Sequence, residues 1–254
     1  MRQILQIAIL SMFFTMCKTS DNSDKALNVL VYSSTNGFRH KCIPIALQTL
    51  SEIAETENWT IYQTEDSLFF TANNLAKFDV LVFLQTSGDI LGSEQKQMVE
   101  TFVETGSGLV TIHSGTITEY NWEWYGKAIG AYFIGHPPVQ QARLVIEDKN
   151  HPATSFFPAD TWVIEDEWYS FDRNPRNDVH VLISIDESSY NVNGNRKADR
   201  PDLRMGDHPL VWYRFVGDGR VFQTALGHPV ELYADTLFRK HLAGAINWGG
   251  GSNY

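Results

Sequence analysis

Between Asn28 and His113, short and almost wholly apolar runs alternate with longer stretches of helical periodicity, and that alternation admits very few folds. Val29-Leu30-Val31-Tyr32 is a strand by composition and runs into the turn-prone Ser33-Ser34-Thr35-Asn36-Gly37. Ile43, Leu47, Leu50, Ile53 and Ala54 then recur at helical spacing, with Pro44 tolerable in the first turn. Trp59 to Gln63 and Phe78 to Leu84 are the next strands. Ser93 can cap a helix that buries Met98, Val99, Phe102 and Val103 and stops at Gly106; Gly108 to His113 is a fourth strand. Strands that are apolar throughout need cover on both faces, which predicts an α/β fold with a parallel sheet between helices.

The second half changes character. Ala142 to Ile146, Trp162 to Ile164, Val179 to Ile185, Leu210 to Phe215 and Arg220 to Ala225 are strands joined by loops, with a hairpin signal at Gly217-Asp218-Gly219. A last helix is expected over Leu232 to Asn247, and Gly249-Gly250-Gly251 reads as the start of a frayed tail, 249–254. Asn191 to Asp207 is polar and reads as an exposed insertion. No composition break or internal repeat divides the chain, so one domain is expected, over about 27–248.

The N-terminus is an address. Arg2 followed by an apolar stretch from Ile4 to Met16 is a secretory pattern, too short for a permanent span. Cys17 closes it and the polar segment 18–26 follows, as in a bacterial lipoprotein whose thiol receives the lipid. The expectation is a signal peptide over 1–17, lipidation at Cys17 and a periplasmic or membrane-anchored domain, tethered only through that lipid. Cys42 then has no partner, and stability rests on core burial. With 30 acidic against 20 basic residues, the chain is not built to capture nucleic acid or anionic lipid. Its 15 Phe, 10 Tyr and 7 Trp exclude a disordered tail.

In an open parallel sheet, ligands bind beyond the carboxyl ends of the strands. Asn36-Gly37-Phe38-Arg39-His40 follows the first strand, His113-Ser114-Gly115 the fourth, and Gly227-His228-Pro229-Val230-Glu231 the strand ending at Leu226. Three histidines therefore fall on one sheet edge. A lone histidine is more often structural, and three on one edge are harder to assign to chance. Gly135-His136-Pro137 and Asp207-His208-Pro209 hold two more histidines in extended backbone. Glu165-Asp166-Glu167-Trp168-Tyr169 sets carboxylates beside aromatics, a pairing that suits sugars and equally describes a half-exposed edge strand. His151 reads as a turn residue, and His180 and His241 as structural.

Several chemistries fail. There is no Gly-x-Gly-x-x-Gly, no Walker loop and no Gly-x-Ser-x-Gly elbow. Ser114 stands where a nucleophile would, but His113 cannot easily turn back onto it. Without paired cysteines a structural zinc is out. A His-rich pocket with a carboxylate can hold a divalent metal with an open position, or work without metal as a general acid–base centre near pH 7.

Taken together, these segments resemble the ThuA-like family, named for trehalose utilisation. The likeness runs through Ser34-Thr35-Asn36-Gly37-Phe38-Arg39-His40, Thr86-Ser87-Gly88-Asp89, Gly108 to His113, Trp122-Glu123-Trp124-Tyr125-Gly126, Gly135-His136-Pro137-Pro138, Asp166-Glu167-Trp168-Tyr169, His208-Pro209-Leu210 and Gly219 to His228. It covers about residues 27 to 248. The resemblance implies a flavodoxin-like three-layer sandwich, mostly parallel, similar to class I glutamine amidotransferases. Gly227-His228 with Glu231 is similar to the histidine and acid of those enzymes, but no cysteine stands at the nucleophile turn, so glutaminase chemistry is not expected.

The family's association is with disaccharide catabolism through 3-keto sugars, whose protons beside the carbonyl are acidic. The leading expectation is a carbohydrate enzyme with His113, His228 and Glu167 in acid–base roles, His113 and His228 doubling as metal ligands. Asn36, His40, His136, His208, Asp166, Trp122, Trp168 and Glu231 are expected to bind substrate. The rivals are a non-catalytic carbohydrate-binding lipoprotein and a thiol enzyme using Cys42. Oligomeric state is not legible.

Overall fold

The computed structural model describes residues 26–194 and 201–251. The leader, Cys17, nearly all of the 18–26 linker and residues 252–254 of the expected tail lie outside them. The first half runs β1 (Leu27–Tyr32), α1 (Ile43–Glu57), β2 (Trp59–Thr64), α2 (Ala72–Leu75), β3 (Val80–Leu84), α3 (Ser93–Glu104), β4 (Gly108–Ile112) and α4 (Glu123–Ile129). The second half runs β5 (Phe133–Gly135), β6 (Gln140–Ile146), β7 (Thr161–Asp166), β8 (Ser170–Phe171), β9 (His180–Ile185), β10 (Pro209–Val216), β11 (Gly219–Thr224) and α5 (Thr236–Gly249).

Nine strands form one sheet in the order β2-β1-β3-β4-β11-β10-β9-β6-β7. The first five are parallel, and each later pair is antiparallel. The order 2-1-3-4 followed by a late strand is the flavodoxin-like winding, with its crevice between β1 and β3. Alternate residues of β1 serve opposite faces. Val29 and Val31 pack with Ala46, Leu50, Phe238 and Leu242 of α1 and α5, while Leu30 and Tyr32 pack with Val99, Phe102, Tyr125 and Ile129 of α3 and α4. Two apolar cores on either side of the sheet make the three layers. Contact is tightest where α5 meets β4: a Cβ on Gly108 would fall 2.2 Å from the carbonyl oxygen of Gly249.

Four reversals separate β11 from β7, so β7 points the same way as β1, β3, β4 and β11 and delivers its carboxyl end to the same edge. On a flat sheet those two ends would lie about 19 Å apart at the usual strand spacing. Instead Asp166, the last residue of β7, accepts hydrogen bonds from the backbone just after β11. The antiparallel half therefore curls back over the end of the parallel half.

Local departures from the sequence reading have physical causes. Gly92, not Ser93, is the N-cap of α3, and no side chain caps it. The expected last helix is split, because the Asp235 side chain caps α5 by accepting the Phe238 N–H, leaving a 3-10 turn over Val230–Ala234. Gly249 is not frayed; it closes α5 against β4. The described part of the polar insertion is pinned rather than wholly exposed: Leu203 is buried, and its carbonyl accepts the Ser170 hydroxyl at 2.7 Å. His151 is more than a turn residue, being buried and stacked on Tyr213 at 4.8 Å.

Candidate active site

His113 immediately follows β4 with φ 53°, in the left-handed region that non-glycine residues seldom occupy. Two contacts hold it there. Its Nδ1 lies 2.7 Å from the Ala225 carbonyl, which fixes that nitrogen as the N–H donor, and its ring packs 4.2 Å from that of Tyr169. Nε2 is thereby left as the free nitrogen. It points toward Glu167, whose Oε2 is 3.6 Å away. Glu167 stands one residue beyond β7, and His228 follows β11 with Nδ1 3.3 Å from the same Oε2. His40 comes from the loop after β1, its ring 4.9 Å from His113 and 5.3 Å from His228.

These four side chains come from four loops. One ligand atom from each of His40, His113, Glu167 and His228 lies within 4.8 Å of the others. The other carboxylate oxygen, Oε1, is 3.1 Å from Nδ1 of His136, whose side chain is 38% exposed. His113 Nε2 and His228 Nδ1 are buried and make no hydrogen bond.

The electrostatics follow from burial and neighbours. Burial pushes His40 down to about 3, with His113 and His228 adding to the effect. Burial alone would raise Glu167, but His113 and His228 hold its carboxyl well below the usual carboxylate range. The Glu167 carboxylate in turn raises His228. At neutral pH this is an anionic oxygen beside a neutral His40, with His228 shifted toward its charged form.

Beside the cluster opens a cleft of about 440 Å³, lined by Phe38, His40, Lys41, Cys42, Val139, Glu165, His228, Val230 and Glu231 among others. Small-molecule pockets run from roughly 300 to 1,000 Å³. Three of the nine large hydrophobic side chains left exposed among the described residues, Phe38, Val139 and Val230, line this one cleft. Scattered exposure would not concentrate them so. Phe38 is 65% exposed and meets the His40 ring edge-on at 4.8 Å. Its loop is held: the Ser87 hydroxyl donates to the Phe38 carbonyl at 2.6 Å, and the Ser87 carbonyl accepts from the N–H of Asn36.

The structure thus brings His40, His113, His228, Glu167 and His136 together and sets Glu231 at the cleft. It places the other expected binders elsewhere. Trp122 is buried in the core under α3 and α4, donating to Glu100, because its indole caps that apolar layer. Trp168 is 1% exposed and donates to the Gln140 carbonyl. His208 is buried, with Nδ1 2.9 Å from Glu187 and Nε2 2.8 Å from the Tyr169 carbonyl, so both nitrogens are engaged inside the fold. Asp166 is fully buried and holds backbone rather than ligand. Asn36 is exposed and ties its amide to the Asp89 carbonyl.

Residues at the cleft that were not named as binders from the sequence are Phe38, Val139, Val230 and Glu165, and behind them Gln85, which donates to the Gly227 carbonyl at 2.8 Å. Phe38, Val230 and Glu165 lay in the segments singled out around His40, His228 and Glu167, whereas Val139 and Gln85 carried no signal. Ser114 is buried 3.4 Å from His40, not His113. Cys42 is 1% exposed and burial pushes its thiol up to about 12.

The comparisons agree with this architecture. The model of a family described as ThuA, trehalose utilisation, matches residues 28–249. Among solved structures, a thua-like protein from Bacteroides uniformis aligns with TM-score 0.74 at 22% identity, covering 90% of this chain and 94% of that one. A second thua-like protein, from Parabacteroides merdae, aligns with TM-score 0.72 at 18% identity over 90% and 91%. A cytoplasmic protein from Salmonella typhimurium follows at TM-score 0.61 and 14% identity over 88% and 99%. No curated protein matches the chain.

Proposed function

The chain belongs to the ThuA family, trehalose utilisation, and on that premise we propose that it is an enzyme of carbohydrate catabolism whose centre is the His40–His113–Glu167–His228 cluster. One observation carries the reading. Three histidines and a carboxylate from four separate loops converge beside a cleft with an apolar wall and exposed carboxylates, and His40 and His228 line it. A purely sugar-binding protein needs the wall and the carboxylates but not the convergent imidazoles.

The substrate that fits is a glycoside or sugar carrying a carbonyl, in the 3-keto form. Such a molecule needs its carbonyl polarised, a proton taken from the adjacent carbon and a proton given to the departing oxygen. The imidazoles and an anionic carboxylate supply acid and base, and the same groups can surround a cation that polarises the carbonyl. The exposed Phe38 ring offers a face for the C–H side of a pyranose, with Glu165 and Glu231 to accept its hydroxyls. Cys17 and the leader support placing this activity outside the cytoplasm, on a lipid tether.

The test is turnover of 3-keto glycosides by the purified domain, beside His113→Ala and Glu167→Gln. Turnover abolished by both substitutions supports the reading. Tight sugar binding without turnover by the folded wild type would replace it with the accessory-protein reading.

A further inference from the structure

We propose that His40, His113, His228 and Glu167 form a binding site for one first-row divalent cation of the zinc class, with His136 as the outer contact that orients Glu167. The inference rests on the cluster being the centre, though not on the identity of its substrate.

Geometry comes first. A tetrahedral ion with ligands at about 2.0–2.1 Å sets neighbouring ligand atoms about 3.3–3.4 Å apart. Glu167 Oε2 stands 3.3 Å from His228 Nδ1 and 3.6 Å from His113 Nε2, and the whole donor set fits within 4.8 Å. Those spacings are close to the edges of such a tetrahedron, and neither nitrogen has a hydrogen-bond partner. The two nitrogens are buried and unpartnered, which is costly for a polar atom unless something else satisfies it.

Outer contacts match as well. His113 gives its other nitrogen to the Ala225 carbonyl, the arrangement that fixes a metal-ligating imidazole and aims its lone pair inward. Glu167 turns its second oxygen to His136. Three imidazoles and one carboxylate suit zinc, cobalt or iron in the divalent state; magnesium and calcium prefer all-oxygen cages. With four groups taken as ligands, His136 is the histidine beside the cluster that stands outside the donor set. Its contact with Glu167 Oε1 makes it an outer group that fixes that carboxylate.

The experiment uses the domain without a polyhistidine tag, stripped with chelator and titrated with Co2+ or Zn2+. Expected are one ion per chain by elemental analysis and a Co2+ visible spectrum of low-symmetry, high-intensity bands. His113→Ala and Glu167→Gln should each lose that spectrum and the stoichiometric ion. His136→Ala should keep the ion with affinity lowered roughly 10- to 100-fold, as expected of an outer-contact change. Circular dichroism and melting of each variant show whether it is folded. No stoichiometric binding by folded wild type, or binding unchanged in folded His113→Ala, overturns the site. Since binding is read without substrate, turnover without metal would spare the sugar-enzyme reading, and metal without turnover would spare this one.

Discussion

The Asp166 carboxylate holds the backbone of His228: Oδ1 accepts the His228 N–H at 3.0 Å while Oδ2 accepts that of Gly227 at 2.8 Å. Oδ1 also accepts the N–H of Glu167 at 2.7 Å, so one buried carboxylate fixes the two loops that carry Glu167 and His228. Burial raises its pKa, opposed by His113 and by these three N–H groups.

Asp166→Asn tests that joint. The amide oxygen can still serve Glu167 and His228, but the NH2 group then faces the Gly227 N–H. An unsatisfied buried donor costs about 1–3 kcal/mol. Urea unfolding should show a loss of that size, and turnover should fall with it because His228 is no longer fixed. Unchanged stability would mean that the curl of the sheet does not depend on Asp166.

Phe38→Ala tests the cleft wall. Loss of a stacking face worth about 0.5–1.5 kcal/mol predicts a KM raised roughly 2- to 13-fold, with kcat nearly unchanged. Stability should stay within about 0.5 kcal/mol, since the ring is 65% exposed. A kcat effect equal to the KM effect would place Phe38 in the chemistry instead.

Acid should destabilise the fold through two histidines remote from the cleft. Burial lowers both His151 and His241 to about 4, with His241 adding to the effect on His151. Their folded values lie below the unfolded value near 6.5, so the unfolded chain binds more protons between pH 6.5 and 4. Stability therefore falls as pH drops through that window, by about 2 kcal/mol per histidine at pH 5. Urea unfolding at pH 7 and pH 5 measures it, and His241→Gln should remove about 2 kcal/mol of the loss, leaving the shares of His151 and the buried His40. An unchanged slope in His241→Gln would show that this side chain does not protonate on unfolding.

Cys42 should be inert. With its thiol pushed up to about 12 and only 1% of the residue exposed, alkylation of native Cys17→Ser protein should wait on unfolding. Cys42→Ser should keep activity. Total loss of activity in a folded Cys42→Ser protein would revive the thiol-enzyme reading.

Sequence periodicity determined the parallel half of this protein, because an apolar run reports the burial of its own strand whatever its neighbours are. It also put His40, His113 and His228 after strands of the parallel set, and in such a sheet those ends share one edge by topology. Glu167 was different. β7 is an edge strand with alternating burial, as the bland reading of Glu165-Asp166-Glu167 has it, and it reaches the histidines only because four antiparallel steps and the curl of the sheet bring its end back. Nothing local in residues 161–167 encodes that approach. The aromatics divided for the same reason: Trp122 and Trp168 fill core layers, while Phe38 is held in the open by Ser87 across the β1–β3 crevice. His208 was drawn inward by Glu187, a partner 21 residues away. The sequence by itself decided which residues end strands and which bury; which strand ends meet was decided by long-range packing, because the energy of that meeting belongs to pairs of segments and not to either one alone.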